Sequence, residues 1–215
     1  MAYKIISGQY ELGTEEQQTA YKQLFGEESV QYKFDLYFHW YNIVHELGHC
    51  VLEARKITAT DVQAEMFVNE FAVSYWRQVG CGERIEELRE MLEHILQDVP
   101  SPVPEGEAFE AYFEKIWETD ALDDVNVYGY FQFRSVLEAM KYNMSFAKTV
   151  SQAGIRVKED AKIANYEEPV CAENARKVLQ SALDNLSEMG VEMPEIQLQL
   201  VKNPMIQCAQ YIRIN

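Results

Sequence analysis

Apolar residues recur at helical intervals through much of this chain. Residues 34–54 contain no proline and a single glycine, Gly48, among many aromatic and aliphatic side chains. This composition predicts a long, largely buried helix. Thr60, followed three residues later by Gln63, has the form of a capping box and predicts a second helix that ends before Gly80.

The same signals predict further helices and little strand. The expected helices cover residues 14–26, about 85–99, about 109–117, about 130–143 and 172–189. Short β-like runs occur at Tyr3–Ile6 and Gln197–Val201, and the end of the chain, residues 196–214, has a mixed pattern. We therefore predict a mainly α fold, α+β at most, with a small strand region at the N-terminus.

A proline-rich segment divides the chain near its middle. Residues 100–106 contain three prolines and end in Gly106, a composition typical of a linker. The whole chain has 215 residues, which suits one compact domain with an appendage. We predict a core formed by residues 1–99 and a helical C-terminal subdomain, residues 100–215, that packs on this core.

Charge and cysteine usage narrow the classes of partner. The 35 acidic residues outnumber the 19 basic ones and give a formal charge of −16, which disfavours binding to nucleic acid or to anionic lipid. No apolar run reaches membrane-spanning length, and the N-terminus lacks the apolar core of a signal peptide. The four cysteines form no CxxC pair, so we expect free thiols in a cytoplasmic protein: Cys50, Cys81, Cys171 and Cys208.

The first long helix carries the candidate chemistry. Residues 45–49 read His-Glu-Leu-Gly-His, so that His45 and His49 lie one helical turn apart on the same face. Two imidazoles in this arrangement can bind a single Zn²⁺, and the intervening Glu46 is placed to act on a metal-bound water. The sequence therefore predicts a zinc site that includes both histidines.

A third ligand is expected from the second helix, because catalytic zinc usually has three protein ligands and an open position. If the two helices form an antiparallel hairpin about the centre of their connector, Glu65 lies level with His49. Glu70 is the other candidate, but it lies about 140° from Glu65 around the helix, so both carboxylates cannot face one ion. We predict that Glu65 is the ligand.

Asn69 has a separate predicted role in the same hairpin. It lies four residues after Glu65 and level with His45, so its amide oxygen can accept the ring N–H of that histidine and fix the tautomer. The other two histidines, His39 and His94, are not expected at the site. His39 lies about 240° from His45 around the helix, so we expect it in the core or at the surface. His94 is expected to be exposed.

The motif and its downstream residues resemble a known group of enzymes. HELGH at 45–49, followed by Glu65-x-x-x-Asn69-x-Phe71-Ala72, is similar to the gluzincin metallopeptidases and most closely resembles the ImmA/IrrE-type family. The resemblance covers about residues 40–76. It implies a reduced zincin-like core that holds zinc through His45, His49 and Glu65. By the same resemblance, Glu46 is the general base for attack of zinc-bound water on a peptide bond, and Asn69 supports a ligand.

A donor that stabilises the oxyanion is expected from a more distant segment. Residues 126–130 form the most loop-like tyrosine cluster, and Gly129 would allow the backbone to approach a ligand closely. Tyr128 and Tyr130 are the weak candidates from this segment.

Three functional hypotheses follow from the sequence. The first is a zinc-dependent peptidase that cleaves a peptide or protein substrate. The second is a non-catalytic regulatory or interaction protein that retains a structural or vestigial zinc site, and an occluded or four-ligand site would favour it. The third is a helical scaffold without metal. The sequence makes no prediction of oligomeric state.

Overall fold

The structure is a computed structural model, and it describes residues 2–202 and 210–214. These residues are mainly helical with one small sheet, which confirms the predicted mainly α class. Cys208, expected as a free thiol, and residues 203–209 of the mixed C-terminal segment lie outside the described part.

The described elements follow one another in a simple order. They are β1 (Ala2–Gly8), α1 (Glu15–Phe25), α2 (Val30–Phe34), a π-helical segment (Asp35–Tyr41), α3 (Asn42–Ala54), α4 (Asp61–Gln78), α5 (Gly82–Asp98), α6 (Phe109–Ile116), α7 (Val125–Lys141), α8 (Phe146–Gln152), α9 (Ala175–Glu188), β2 (Glu195–Val201) and β3 (Gln210–Ile214). Short 3-10 turns occur at Tyr10–Leu12, Asp120–Asp123 and Ala172–Asn174.

Both predicted capping boxes are present. The Thr60 side chain accepts the backbone N–H of Gln63, and the Gln63 side chain accepts the backbone N–H of Thr60 at the start of α4. Thr14 and Gln17 form the same pair of bonds at the start of α1. These bonds satisfy N–H groups that would otherwise have no partner within the helix, so each helix begins where its sequence signal indicates.

The first long helix begins earlier than its sequence suggests and contains a π-helical stretch. The helical run starts at Val30 and passes through the buried π-helical segment into α3. In that segment, His39 places Nδ1 2.6 Å from Asp35 Oδ1 and Nε2 2.7 Å from the carbonyl oxygen of Gly8. His39 is therefore a core histidine that ties the helix to β1, and His94 is exposed, both as predicted.

The sheet joins the two ends of the described chain. β1 is central and pairs in parallel with β2 and antiparallel with β3. Tyr3 and Ile5 are fully buried on one face of β1, where the alternation of buried and exposed positions follows the pleat. Both predicted strand regions are confirmed as strands, and α3 lies against β1 and β3.

Two apolar clusters support the helices. The larger one draws residues from both sides of the proline-rich segment and includes Trp40 and Trp76, whose rings stack at 4.2 Å between centroids. The smaller cluster, called the second cluster below, joins α4, α6 and α7 through four buried side chains: Val62, Met66, Phe113 and Phe131. The proposed division of the chain at residue 100 stays a prediction.

Two helices of the C-terminal half differ from the sequence prediction. α7 begins at Val125, so the expectation of a loop over residues 126–130 was wrong. The Asp124 side chain accepts the backbone N–H of Asn126 and starts the helix there, which overrides the turn signal of Gly129. α8 was not predicted from the sequence, because its seven residues are too few to show a clear period.

Three of the four cysteines lie in the described residues. Cys50, Cys81 and Cys171 are free thiols, as expected. None of the helices in residues 2–202 combines the length and apolar character that a membrane crossing requires.

Gly48 sets the distance between α3 and α4. A Cβ atom at this position would lie 2.9 Å from both Cβ and Cγ1 of Val68 and 3.2 Å from its Cα, closer than side chains normally approach. The two helices therefore pack closely at Gly48, and they form the antiparallel hairpin that the sequence predicts.

We predict that Gly48→Ala destabilises the fold by about 1–3 kcal/mol, because the added methyl group forces α3 and α4 apart. Gly129→Ala is the matched control: its Cβ would meet no atom within 4 Å, and alanine favours a helix over glycine by about 1 kcal/mol. Urea denaturation of the three proteins measures both effects. Equal stability of Gly48→Ala and the unsubstituted protein would contradict the tight contact.

Candidate metal centre

α3 presents both motif histidines toward α4. His45 and His49 lie one turn apart with their ring centroids 5.0 Å from each other. The side chain of His45 is 5% exposed, whereas that of His49 is 13% exposed. His45 is thus the more deeply buried of the two rings, and His49 is the one closer to solvent.

Glu65 completes the group from α4. Its Oε1 lies 3.3 Å from His49 Nε2, and its Oε2 lies 3.5 Å from His45 Nε2. One ligand atom from each of the three residues lies within 4.8 Å of the other two, so His45, His49 and Glu65 form a group that could hold a metal ion. Glu70 lies outside this group and lines a small hollow with Thr149.

The two imidazoles and the carboxylate lie close enough together to share one ion. Glu65 presents one oxygen to each ring, with nitrogen–oxygen separations of 3.3 Å for His49 and 3.5 Å for His45. Two imidazoles and one carboxylate are also an ordinary ligand set for a zinc ion.

Asn69 fixes the tautomer of His45. The Asn69 amide donates from Nδ2 to the backbone carbonyl of Glu65 at 2.9 Å, so its Oδ1 faces the other way and acts as an acceptor. Oδ1 lies 2.8 Å from the Tyr41 hydroxyl, which donates to it, and 3.0 Å from His45 Nδ1. Nδ1 must therefore carry the proton, which leaves the lone pair of Nε2 directed at the metal position. This contact is the one that the hairpin register predicts.

Burial and charge set the protonation of the three residues. Burial lowers the pKa of His45 to about 4, so this ring is neutral at neutral pH. Burial alone would lower the pKa of His49 as well, but the hydrogen bond and negative charge of Glu65 raise that pKa above its ordinary value. Burial opposes ionisation of Glu65, yet the hydrogen bond and charge of His49 lower the Glu65 pKa to about 2.

Glu46, the predicted base, is held beside the group. It is 4% exposed, and its Oε1 accepts a hydrogen bond from Asn42 Nδ2 at 3.0 Å, one turn earlier in the same helix. Its negative charge is close enough to His49 to contribute to the raised pKa of that ring. A buried carboxylate thus adjoins the donor group.

α7 also contributes a side chain that contacts the group. Gln132 Nε2 lies 3.5 Å from Glu65 Oε2, at the outer limit of a hydrogen bond, and 3.1 Å from the Tyr128 hydroxyl. Tyr130 instead packs against the second cluster. Residues two positions apart on a helix point about 200° apart, so the structure brings only the first of the two candidate tyrosines toward the group.

Two residues near the group were not predicted from the sequence. Tyr41, which donates to Asn69, lies one turn before His45, and this spacing was the available signal. Gln132 gave no sequence signal, because its position depends on how α7 packs against α4. Gly129 does not serve a close approach as expected, since nothing lies within 4 Å of its Cβ position.

Comparisons with protein-family models, with curated proteins and with solved structures find no match for this chain.

We predict that metal binding releases one proton near pH 6. At that pH His45 and Glu65 are already deprotonated, whereas His49, with its raised pKa, carries a proton that a metal ion must displace. Zinc affinity should therefore rise about tenfold per pH unit until the pH passes the His49 pKa.

Isothermal titration calorimetry of zinc binding in two buffers of different ionisation enthalpy measures this proton count. The expected value is close to one proton per bound ion at about pH 6. A count near zero would mean that His49 is neutral in the metal-free protein, contrary to the account given for its pKa.

Proposed function

We propose that this protein is a zinc-dependent metallopeptidase of the gluzincin type, similar to the ImmA/IrrE-type family. The observation that carries the proposal is the convergence of the His45, His49 and Glu65 donor atoms within 4.8 Å of one another, beside the buried carboxylate of Glu46. Two imidazoles and one carboxylate are a protein ligand set that catalytic zinc sites use, and this donor chemistry supports zinc as the ion.

The number of ligands and their exposure to solvent favour catalysis over a structural role. Structural zinc sites have four protein ligands, whereas the group found in the described residues has three members. His49 and Glu65 also remain 13% and 14% exposed, so a water molecule or a substrate group can reach the fourth position. These features argue against a structural zinc staple in a regulatory protein.

When bound here, zinc would supply a Lewis acid that acidifies water and polarises a carbonyl group. The residues of the chain then have distinct tasks. The Glu46 carboxylate, held at Oε1 by Asn42, accepts the proton of the attacking water and passes it to the leaving amine. The Tyr128 hydroxyl, which accepts a hydrogen bond from Gln132, is the candidate donor to the developing oxyanion.

The sheet supports a peptide as the substrate. β3 is an edge strand of the described sheet, and it lies against α3, the helix that carries the motif. An edge strand offers unpaired backbone groups with which an extended peptide can pair. We therefore propose that the substrate binds as an extended chain with its scissile bond near α3.

Glu46→Gln tests the proposal most directly. The substitution removes the base and keeps the shape of the side chain, so we predict that peptide cleavage falls about 100-fold or more while zinc content is unchanged. Cleavage is measured by mass spectrometry on a mixed peptide library, and zinc by inductively coupled plasma mass spectrometry. Glu53→Gln, the same change two turns later in α3, is the control and should retain activity.

Two results would contradict the proposal. One is cleavage of the library by Glu46→Gln at the rate of the unsubstituted protein, which would assign the activity to another group. The other is the absence of any cleavage by the zinc-loaded protein across the library.

A further inference from the structure

Gln132 is a buried amide in an apolar part of the fold. Its residue exposure is 3%, and it follows Phe131, one of the four buried side chains of the second cluster. Val62 and Met66 of the same cluster flank Glu65 on α4. A polar side chain buried among apolar ones reduces stability unless it is hydrogen-bonded, so the contacts of Gln132 indicate its role.

The Gln132 nitrogen reaches two functional side chains at once. Nε2 lies 3.5 Å from Glu65 Oε2 on α4 and 3.1 Å from the Tyr128 hydroxyl, one turn earlier on α7. An amide nitrogen carries two hydrogens, so it can donate to both oxygens. Gln132 thus connects the candidate third ligand to the candidate oxyanion donor.

The location of this contact matters because a carboxylate can rotate. His45 and His49 come from α3 and Glu65 comes from α4, whereas Gln132 comes from α7. A hydrogen bond to Oε2 restrains rotation of the carboxylate about its terminal bond and keeps Oε1 facing His49. Outer contacts of this kind typically affect metal affinity 10–100-fold.

We propose that Gln132 is a positioning residue that fixes the Glu65 carboxylate for metal binding and holds the Tyr128 hydroxyl at a set distance from it. This inference rests on the metal site of the proposed function and extends it to α7. It assigns to α7 a role in the geometry of the metal centre, in addition to its packing against α4.

Gln132→Met tests the inference, because methionine is similar in length to glutamine and has no hydrogen to donate. We expect zinc to bind about 10–100-fold more weakly, as measured by competition with a chromogenic chelator. Substitution with Co²⁺ gives a second measurement: the visible absorption bands should change, because a freely rotating Glu65 alters the coordination geometry.

Two further variants separate positioning from stability. Ser135→Ala removes a buried hydroxyl from the same helix, whose Oγ donates to the backbone carbonyl of Phe131 at 2.7 Å. This variant should leave zinc affinity and the Co²⁺ spectrum unchanged. Gln132→Asn keeps an amide but is one methylene too short to reach Glu65. It should weaken zinc binding as Gln132→Met does, and it replaces that variant if the methionine protein does not fold.

The outcomes distinguish this inference from the proposed function. Zinc affinity and a Co²⁺ spectrum in Gln132→Met equal to those of the unsubstituted protein would overturn the role of Gln132 and leave the metal site intact. Equal loss of zinc affinity in Ser135→Ala would also overturn it, since the effect would then be general to α7. Failure of the unsubstituted protein to bind either metal would overturn the proposed function together with this inference.

Discussion

The close contact between α3 and α4 at Gly48 is the constraint on which the candidate site depends. Histidine and glutamate side chains are short, so donors from two helices can meet around one ion only if the helix axes lie close together. The absence of a side chain at Gly48 permits Val68 to approach the α3 backbone, and the Trp40–Trp76 stack joins α4 to the π-helical segment that precedes α3. This packing sets the register in which His49 faces Glu65 and His45 faces Asn69.

Hydrogen bonds and burial then set the donor roles and the protonation of the site residues. The donor and acceptor roles around His45 are fixed. The Asn69 amide donates to the backbone carbonyl of Glu65, so its oxygen accepts hydrogen bonds from Tyr41 and His45. Burial keeps His45 neutral, whereas Glu65 stays ionised through its contact with His49. Where His49 is protonated, a bound cation replaces its positive charge beside the Glu65 carboxylate.

Local signals in the sequence were sufficient to predict the helix pair and the residues that it brings together. The capping box at Thr60 fixes the start of α4, the spacing of the two histidines fixes their common face, and the short connector fixes the hairpin register. The sequence could not show which side chains a third helix would add. Gln132 lies 67 residues from Glu65, and its contact depends on an interface of α4, α6 and α7 that has no local pattern. The early start of α7 depends on the cap at Asp124, whereas Gly129, which lies inside the helix, is a turn signal in the sequence.

Metal content shows whether His45, His49 and Glu65 bind one metal ion. Inductively coupled plasma mass spectrometry should find about one zinc per chain in the purified, zinc-reconstituted protein and in Glu70→Ala, which alters a carboxylate outside the group. Glu65→Ala should lose most of this zinc while it remains folded by circular dichroism. Absence of zinc from the unsubstituted protein, or full retention of zinc by Glu65→Ala, would contradict the account.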